Sequence, residues 1–112
     1  MKKIYLDWDW FEKRIKEIAK QLKPIKHKFR YIYGVPRGGL VPAVKLSHYL
    51  ELPLTFNPNK DSIIIDDCID SGKTKEKFKD FFFIVLIDKQ KENIKDWLLF
   101  PWEVDKDEIQ NI

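Results

Sequence analysis

The 112-residue chain holds 44% hydrophobic and 14% aromatic residues, enough for one compact core and too few for two, so residues 1–112 are expected to form a single domain. Cys68 is the only cysteine, which excludes an internal disulfide and gives no sign of a stapled secreted fold; its apolar neighbours suggest a buried thiol. The formal net charge of +3 conceals a local excess, since residues 12–30 carry eight Lys or Arg against two Glu. Such a run is either a basic surface for nucleic acid or phosphate-rich ligands, or the solvated face of a helix. Asp7 and Asp9 interrupt any signal-like apolar stretch, and the longest apolar run, Phe81–Ile87, is too short to span a bilayer. The expected location is therefore the cytoplasm, with no membrane partner.

Asp9 followed by Glu12 has the spacing of a capping box, and Phe11, Ile15, Ile18, Ala19 and Leu22 repeat on one helical face as far as Pro24. This predicts an amphipathic helix over residues 10–22. Tyr31–Val35 is rich in strand formers and runs into Pro36-Arg37-Gly38-Gly39, after which Leu40–Leu50 reads as a second helix. The unit then repeats. Ser62–Ile65 is a short apolar strand ending in Asp66 and Asp67, followed by a turn at Ser71-Gly72 and a charged helix over residues 73–80. Phe81–Ile87, apolar at successive positions, predicts a strand covered on both faces, and residues 97–100 predict a further short one. The tail from Glu103 to Ile112 is polar and expected to be loose. The alternation implies an α/β fold, a mostly parallel sheet flanked by helices with right-handed crossovers. In such sheets ligands sit beyond the carboxyl ends of the strands, where both polar turns lie.

The segment from Ile63 to Thr74 carries the chemistry. Backbone N–H groups at a turn entering a helix can enclose a phosphate, with the Ser71 and Thr74 hydroxyls as further donors and Gly72 allowing close approach. Asp66 and Asp67, at the strand end, suit two neighbouring sugar hydroxyls or a divalent cation. The ligand is therefore expected to carry both a phosphate and a diol. Gly72-Lys73-Thr74 also matches the end of a nucleoside triphosphate loop, but the first glycine of that pattern would fall at position 67, where a carboxylate would repel the phosphate chain. An acidic strand end followed by a capped helix explains any two of these residues and not the whole string.

The string Ile-Ile-Ile-Asp-Asp-Cys-Ile-Asp-Ser-Gly-Lys-Thr resembles the diphosphoribosyl-binding motif of type I phosphoribosyltransferases, and Pro36-Arg37-Gly38-Gly39 resembles the family's pyrophosphate turn. Trp97-Leu98-Leu99-Phe100-Pro101-Trp102-Glu103 is similar to the purine segment of the xanthine, guanine and hypoxanthine enzymes, and Tyr5–Trp10 and Val35–Leu50 extend the likeness over most of the chain. The resemblance implies a reduced type I phosphoribosyltransferase fold that binds phosphoribosyl pyrophosphate and a purine base or nucleotide. It implies that Asp66 and Asp67 meet the ribose hydroxyls, directly or through Mg²⁺, while Ser71, Gly72, Lys73 and Thr74 hold the 5′-phosphate. Arg37, Gly38 and Gly39 would face the diphosphate, often beside a cis peptide, here Pro36–Arg37. Lys89, Trp97 and Leu98 would contact the base, Glu103 would join the metal site, and Asp70 would exchange a proton at the purine N7.

Several positions have a plainer alternative: Asp70 as a cap of the next helix, Lys89 as a surface lysine, and Trp97 and Trp102 as core residues. One departure stands out. Only nine residues separate Leu52 from Ser62, where full-length relatives insert strands and a loop that closes over the site. Binding is expected to survive that loss more readily than turnover, which keeps a non-catalytic nucleotide-binding regulator as the second reading. A chain this short is also expected to use a partner copy to cover its site. A nucleic-acid partner is set aside, because only charge speaks for it.

Overall fold

The computed structural model describes residues 2–112. Lys3–Tyr5 forms β1, a strand that the apolar pattern does not announce, and Asp7 opens α1 (Trp8–Leu22). Asp7 rather than Asp9 is the cap: its backbone is extended, and its carboxylate accepts the Trp10 N–H at 2.8 Å. Asp9 sits inside the first turn, so the helix begins two residues before the expected start and its Asp9–Glu12 capping box does not form. The inward face is the expected one, with Phe11, Ile15, Ile18, Ala19 and Leu22 buried. Lys13, Lys16 and Lys20 lie exposed on the outer face, as a solvated helix surface. Pro24 does not end the helical run but opens a 3-10 continuation over Lys23–Lys28, where its missing N–H costs nothing.

β2 (Tyr31–Gly34) leads through the Pro36–Gly39 turn into α2 (Leu40–Leu50). Lys26 Nζ donates to the Leu50 carbonyl at 3.0 Å, giving the last turn of α2 a cation where the helix dipole favours one. The short connection after α2 runs beside β2: Ile32 donates to Pro53 O and Thr55 donates to Ile32 O, both at 2.9 Å. It covers an edge that would otherwise offer unpaired backbone groups.

β3 (Ser62–Ile69) is longer than expected. Asp66 and Asp67 lie within the strand instead of ending it, because pairing continues to Ile69↔Asp88. After α3 (Lys73–Lys77), which is three residues shorter than its expected 73–80 span, β4 (Phe82–Asp88) pairs with β3 in parallel. The order is β2-β3-β4. It is β3, not β4, that is covered on both faces: Ile63, Ile64 and Ile65 are fully buried, while Phe82 on the edge strand is 38% exposed. The outer edge of β4 is partly closed by α1, whose Arg14 Nε donates to Leu86 O at 2.7 Å.

β5 (Trp97–Leu99) does not join that sheet. It pairs in parallel with β1, Ile4 opposite Leu98, so the strands divide into two parallel sheets. The tail is not loose either. α4 (Lys106–Gln110) starts at an Asp105–Glu108 capping box, and the Asp105 carboxylate also accepts from Lys3 Nζ at 3.0 Å and Tyr5 Oη at 2.9 Å. The fold is α/β, with parallel sheets flanked by helices.

Strand alternation sorts the layers. Ile32, Ile63 and Ile65 meet Ile15, Ile18, Ala43 and Leu46 from α1 and α2 in the main core. Tyr33, Ile64 and Phe83 are register neighbours on the opposite face, where Phe78 packs against Tyr33 and Phe83 at centroid separations of 5.9 and 6.2 Å. Replacing Ile65 by Ala is expected to destabilise the protein by about 2–5 kcal/mol in urea titrations, whereas Phe56→Ser, at an 82% exposed position, should stay within about 0.5 kcal/mol. A cost at Ile65 no larger than at Phe56 would contradict a core centred on β3.

Candidate functional site

Adjacent parallel strands end together, so the chain leaves β3 and β4 as two neighbouring loops at one edge of the sheet. Just before those ends, alternation sends the two acids to opposite faces. Asp67 points to the side on which the Pro36–Gly39 turn lies; a Cβ on Gly38 would collide with its carboxylate and displace it. Asp67 Oδ1 accepts from the Cys68 N–H at 2.7 Å. Asp66 shares the face of Ile64, is 8% exposed, and accepts from the Asp67 N–H at 2.8 Å. Burial above all, and then the neighbouring Asp67 charge, push its carboxyl up to about 7. The two acids thus do not present themselves side by side, as the expected pairing on one diol would require.

The loop after β3 turns at Gly72, whose φ of 88° is the left-handed conformation that glycine adopts without strain. Ser71 Oγ accepts from the Lys73 N–H at 3.3 Å. Among the described residues, the backbone N–H groups of Ser71 and Gly72 donate to no protein acceptor. Thr74 is half-buried beside the exposed Lys73. Because α3 has five residues, its dipole adds little, and the loop's own donors carry the capacity for an anion. Asp70 does not cap α3, which has no side-chain cap; its carboxylate instead lies 3.5 Å from Lys89 Nζ. Lys89 is 8% exposed and is therefore not a surface lysine.

The opposing turn is anchored to the sheet by Val35 N–H donating to Ile65 O at 2.9 Å, and the Pro36–Arg37 peptide is cis, at the bond singled out from the sequence. Arg37 is exposed. It lines a cavity of about 410 Å³ with Gly38, Asp67, Trp102, Glu103 and Ile109. A smaller cavity of about 140 Å³ is walled by Asp67, Asp70, Lys89, Trp97, Leu98 and Glu103. Asp67 and Glu103 border both. Trp97 is 52% exposed and available as a wall, while Trp102 packs on Phe11 and Phe100 at 5.2 and 5.3 Å between centroids, as a core residue does. A larger groove, about 910 Å³, runs between α1 and β4, but of these residues it contains only Leu98, so size does not mark the site.

Mg²⁺ takes one or two carboxylates and otherwise keeps water or phosphate oxygens. Asp67 and Glu103 on a shared wall fit that demand; Glu103 Oε1 accepts from the Phe100 N–H at 2.9 Å, which leaves Oε2 to face a cation. Asp66 lines neither cavity, and among the described residues no group of three or more His, Cys, Asp and Glu could hold a metal. No motif marks Gln90, whose Nε2 donates to Asp70 O at 3.1 Å; its only signal in the sequence is its position directly after Lys89.

No protein-family model matches the chain. It is similar to the xanthine-guanine phosphoribosyltransferase of Vibrio parahaemolyticus, 25% identical in an alignment that covers 72% of this chain and 66% of that protein, so the likeness spans just under two thirds of that enzyme's length. Among solved structures, a purine phosphoribosyltransferase from Pyrococcus horikoshii superimposes with a TM-score of 0.76 at 27% identity, covering 94% of this chain and 96% of that one. The Helicobacter pylori xanthine-guanine-hypoxanthine phosphoribosyltransferase shares the fold, with a TM-score of 0.68, 21% identity, and 98% and 99% of the two chains covered.

Asp66 is buried, whereas Cys68, expected to be a buried thiol, is half-buried and lines the smaller cavity. The Asp66 carboxyl is raised from its unfolded value of 3.8 to about 7, so it contributes stability that is fully present below pH 3.8 and lost as pH rises through about 7. Measured in a chelating buffer, Asp66→Asn should therefore be more stable than the parent at pH 8 and indistinguishable below pH 4; a gap that does not change with pH would contradict the shift. Burial, then the Asp67 charge, push the Cys68 thiol up to about 12, so alkylation by iodoacetamide at pH 8 should be far slower than for a free cysteine until the chain is unfolded.

Proposed function

We propose that this chain, which has the type I phosphoribosyltransferase fold in a shortened form, transfers a 5-phosphoribosyl group from phosphoribosyl pyrophosphate to a 6-oxopurine: guanine, xanthine or hypoxanthine. The observation that carries the reading is that Asp67, Asp70, Lys89 and Trp97 wall one cavity beside the carboxyl ends of β3 and β4, with the Ser71–Thr74 loop following directly on Asp70. The likeness to purine phosphoribosyltransferases at 25% and 27% identity supports the same direction.

In this reading Ser71, Gly72, Lys73 and Thr74 hold the 5′-phosphate, and Asp67 accepts from the ribose diol. Asp66 supports Asp67 from behind by accepting its N–H. Arg37, Gly38 and Gly39 face the diphosphate. Asp67 and Glu103 would hold Mg²⁺, which when bound offsets negative charge on the diphosphate. Trp97 stacks on the base, the Leu98 backbone meets its edge, and Lys89 donates to the 6-oxo group. The C1–O bond to diphosphate breaks while the C1–N bond to the purine forms, and the leaving group departs with the electron pair. Asp70 takes the proton at N7, within reach of Lys89 on the same cavity wall.

The short connection between Leu52 and Ser62 favours a second reading, a regulator that binds phosphoribosyl pyrophosphate or a nucleotide without turnover. Incubation with Mg²⁺, phosphoribosyl pyrophosphate and each purine in turn separates the two. Nucleotide formation with at least one 6-oxopurine is the expected result; tight donor binding with no product from any base would leave the regulator. If the enzyme reading holds, Asp70→Asn should lower turnover by about 10²-fold while nucleotide affinity stays within about threefold, the scale of a lost acid–base group. Unchanged turnover would remove Asp70 from the chemistry.

A further inference from the structure

The loops that follow β3 and β4 carry different duties in the proposed site, one for the ribose phosphate and one for the base. They are tied together by one side chain with no assigned role. Gln90 Nε2 donates to the carbonyl of Asp70 at 3.1 Å. The same amide lies 3.5 Å from where a Cβ on Gly72 would sit, so it rests against the turn of the phosphate loop. Its backbone is held in place independently of the ligand. The Asp88 carboxylate accepts the N–H groups of Gln90 and Lys91 at 3.0 and 3.1 Å, and Lys89 N–H donates to Ile69 O at 3.0 Å. Next to it, Lys89 Nζ reaches the Asp70 carboxylate at 3.5 Å. The rigid end of β4 therefore grips Asp70 at two points, by side chain and by carbonyl.

We propose that Gln90 is a positioning residue for the phosphate loop, acting through the Asp70 carbonyl to fix the Asp70–Ser71 peptide plane that aims the Ser71 N–H at a phosphate, while its amide rests against the Gly72 turn. This rests on the reading of the loop as a ribose-phosphate site. The physical basis is preorganisation. Two free N–H groups in a glycine turn bind an anion well only if their orientation is already set, because ordering the loop on binding costs conformational entropy. The loop's other restraints leave the Asp70 carbonyl untouched: Lys89 Nζ meets the Asp70 carboxylate at 3.5 Å, Glu76 N–H donates to Gly72 O at 3.0 Å, and Ser71 Oγ meets the Lys73 N–H at 3.3 Å. Gln90 itself is exposed, so its loss should leave the core intact.

The test compares Gln90→Ala and Gln90→Glu with the parent by calorimetric titration of ribose 5-phosphate and, separately, of inorganic pyrophosphate with Mg²⁺. Glutamate keeps the size and removes the donor, so both variants should bind ribose 5-phosphate about fivefold or more weakly, the weight of one net hydrogen bond, with pyrophosphate affinity and melting temperature unchanged. A merely structural role would not split the two ligands. Unchanged ribose 5-phosphate affinity in both variants, or equal weakening of both ligands together with a lower melting temperature, overturns the proposal. If the parent chain itself binds no ribose 5-phosphate, the site reading fails first and takes this inference with it.

Discussion

Parallel pairing of β3 with β4, maintained as far as Ile69 opposite Asp88, is the constraint on which the rest of the site depends. It holds because Ile63, Ile64 and Ile65 are buried on both faces of the sheet, which makes any slip of register expensive. With the register fixed, Asp67 must face the Pro36–Gly39 turn and Asp66 must face the aromatic side. The same pairing delivers the Asp70–Thr74 loop and the Lys89–Lys91 loop to one edge, where Lys89 and Asp70 can meet.

A second layer of order comes from the chain ends. β1 and β5 form their own parallel pair, and Asp105 ties that pair to α4 through Lys3 and Tyr5. Trp97 and Glu103, at opposite ends of this unit, thereby come to stand over the end of β3. Trp97 and the Ser71–Thr74 loop thus belong to different sheets, joined by the main core around Phe11 and Phe100.

Much of this was legible in the sequence. The helical face of α1, the whole of α2 and the start of β3 follow from periodicity and local composition, whereas the continuation of β3 past its two acids to Ile69 does not. So does the turn at Ser71-Gly72. What escaped depends on contacts that local patterns do not encode. β1 is three exposed residues whose strand character comes from β5, more than ninety positions away. Phe81–Ile87 reads as a central strand because it is uniformly apolar, yet its register places it at the edge; Ile84, Leu86 and Ile87 serve the main core and Phe83 packs on Phe78 on the other face. The tail looks loose in composition because its order comes from partners on β1. Within the site, the motif identified both acids, but their division of labour emerges from strand alternation. Gln90 carries no motif at all, and its place becomes visible only when two loops are seen side by side.

The central claim is that the ends of β3 and β4 form a ribose-phosphate site, and a crystal structure with guanosine 5′-monophosphate tests it most directly. The geometry described above predicts phosphate oxygens within hydrogen-bonding distance of Ser71, Gly72 and Thr74, the ribose hydroxyls against Asp67, and the base beside Trp97 and Lys89. A nucleotide seated instead in the groove between α1 and β4, or with its phosphate on the basic face of α1, would contradict it.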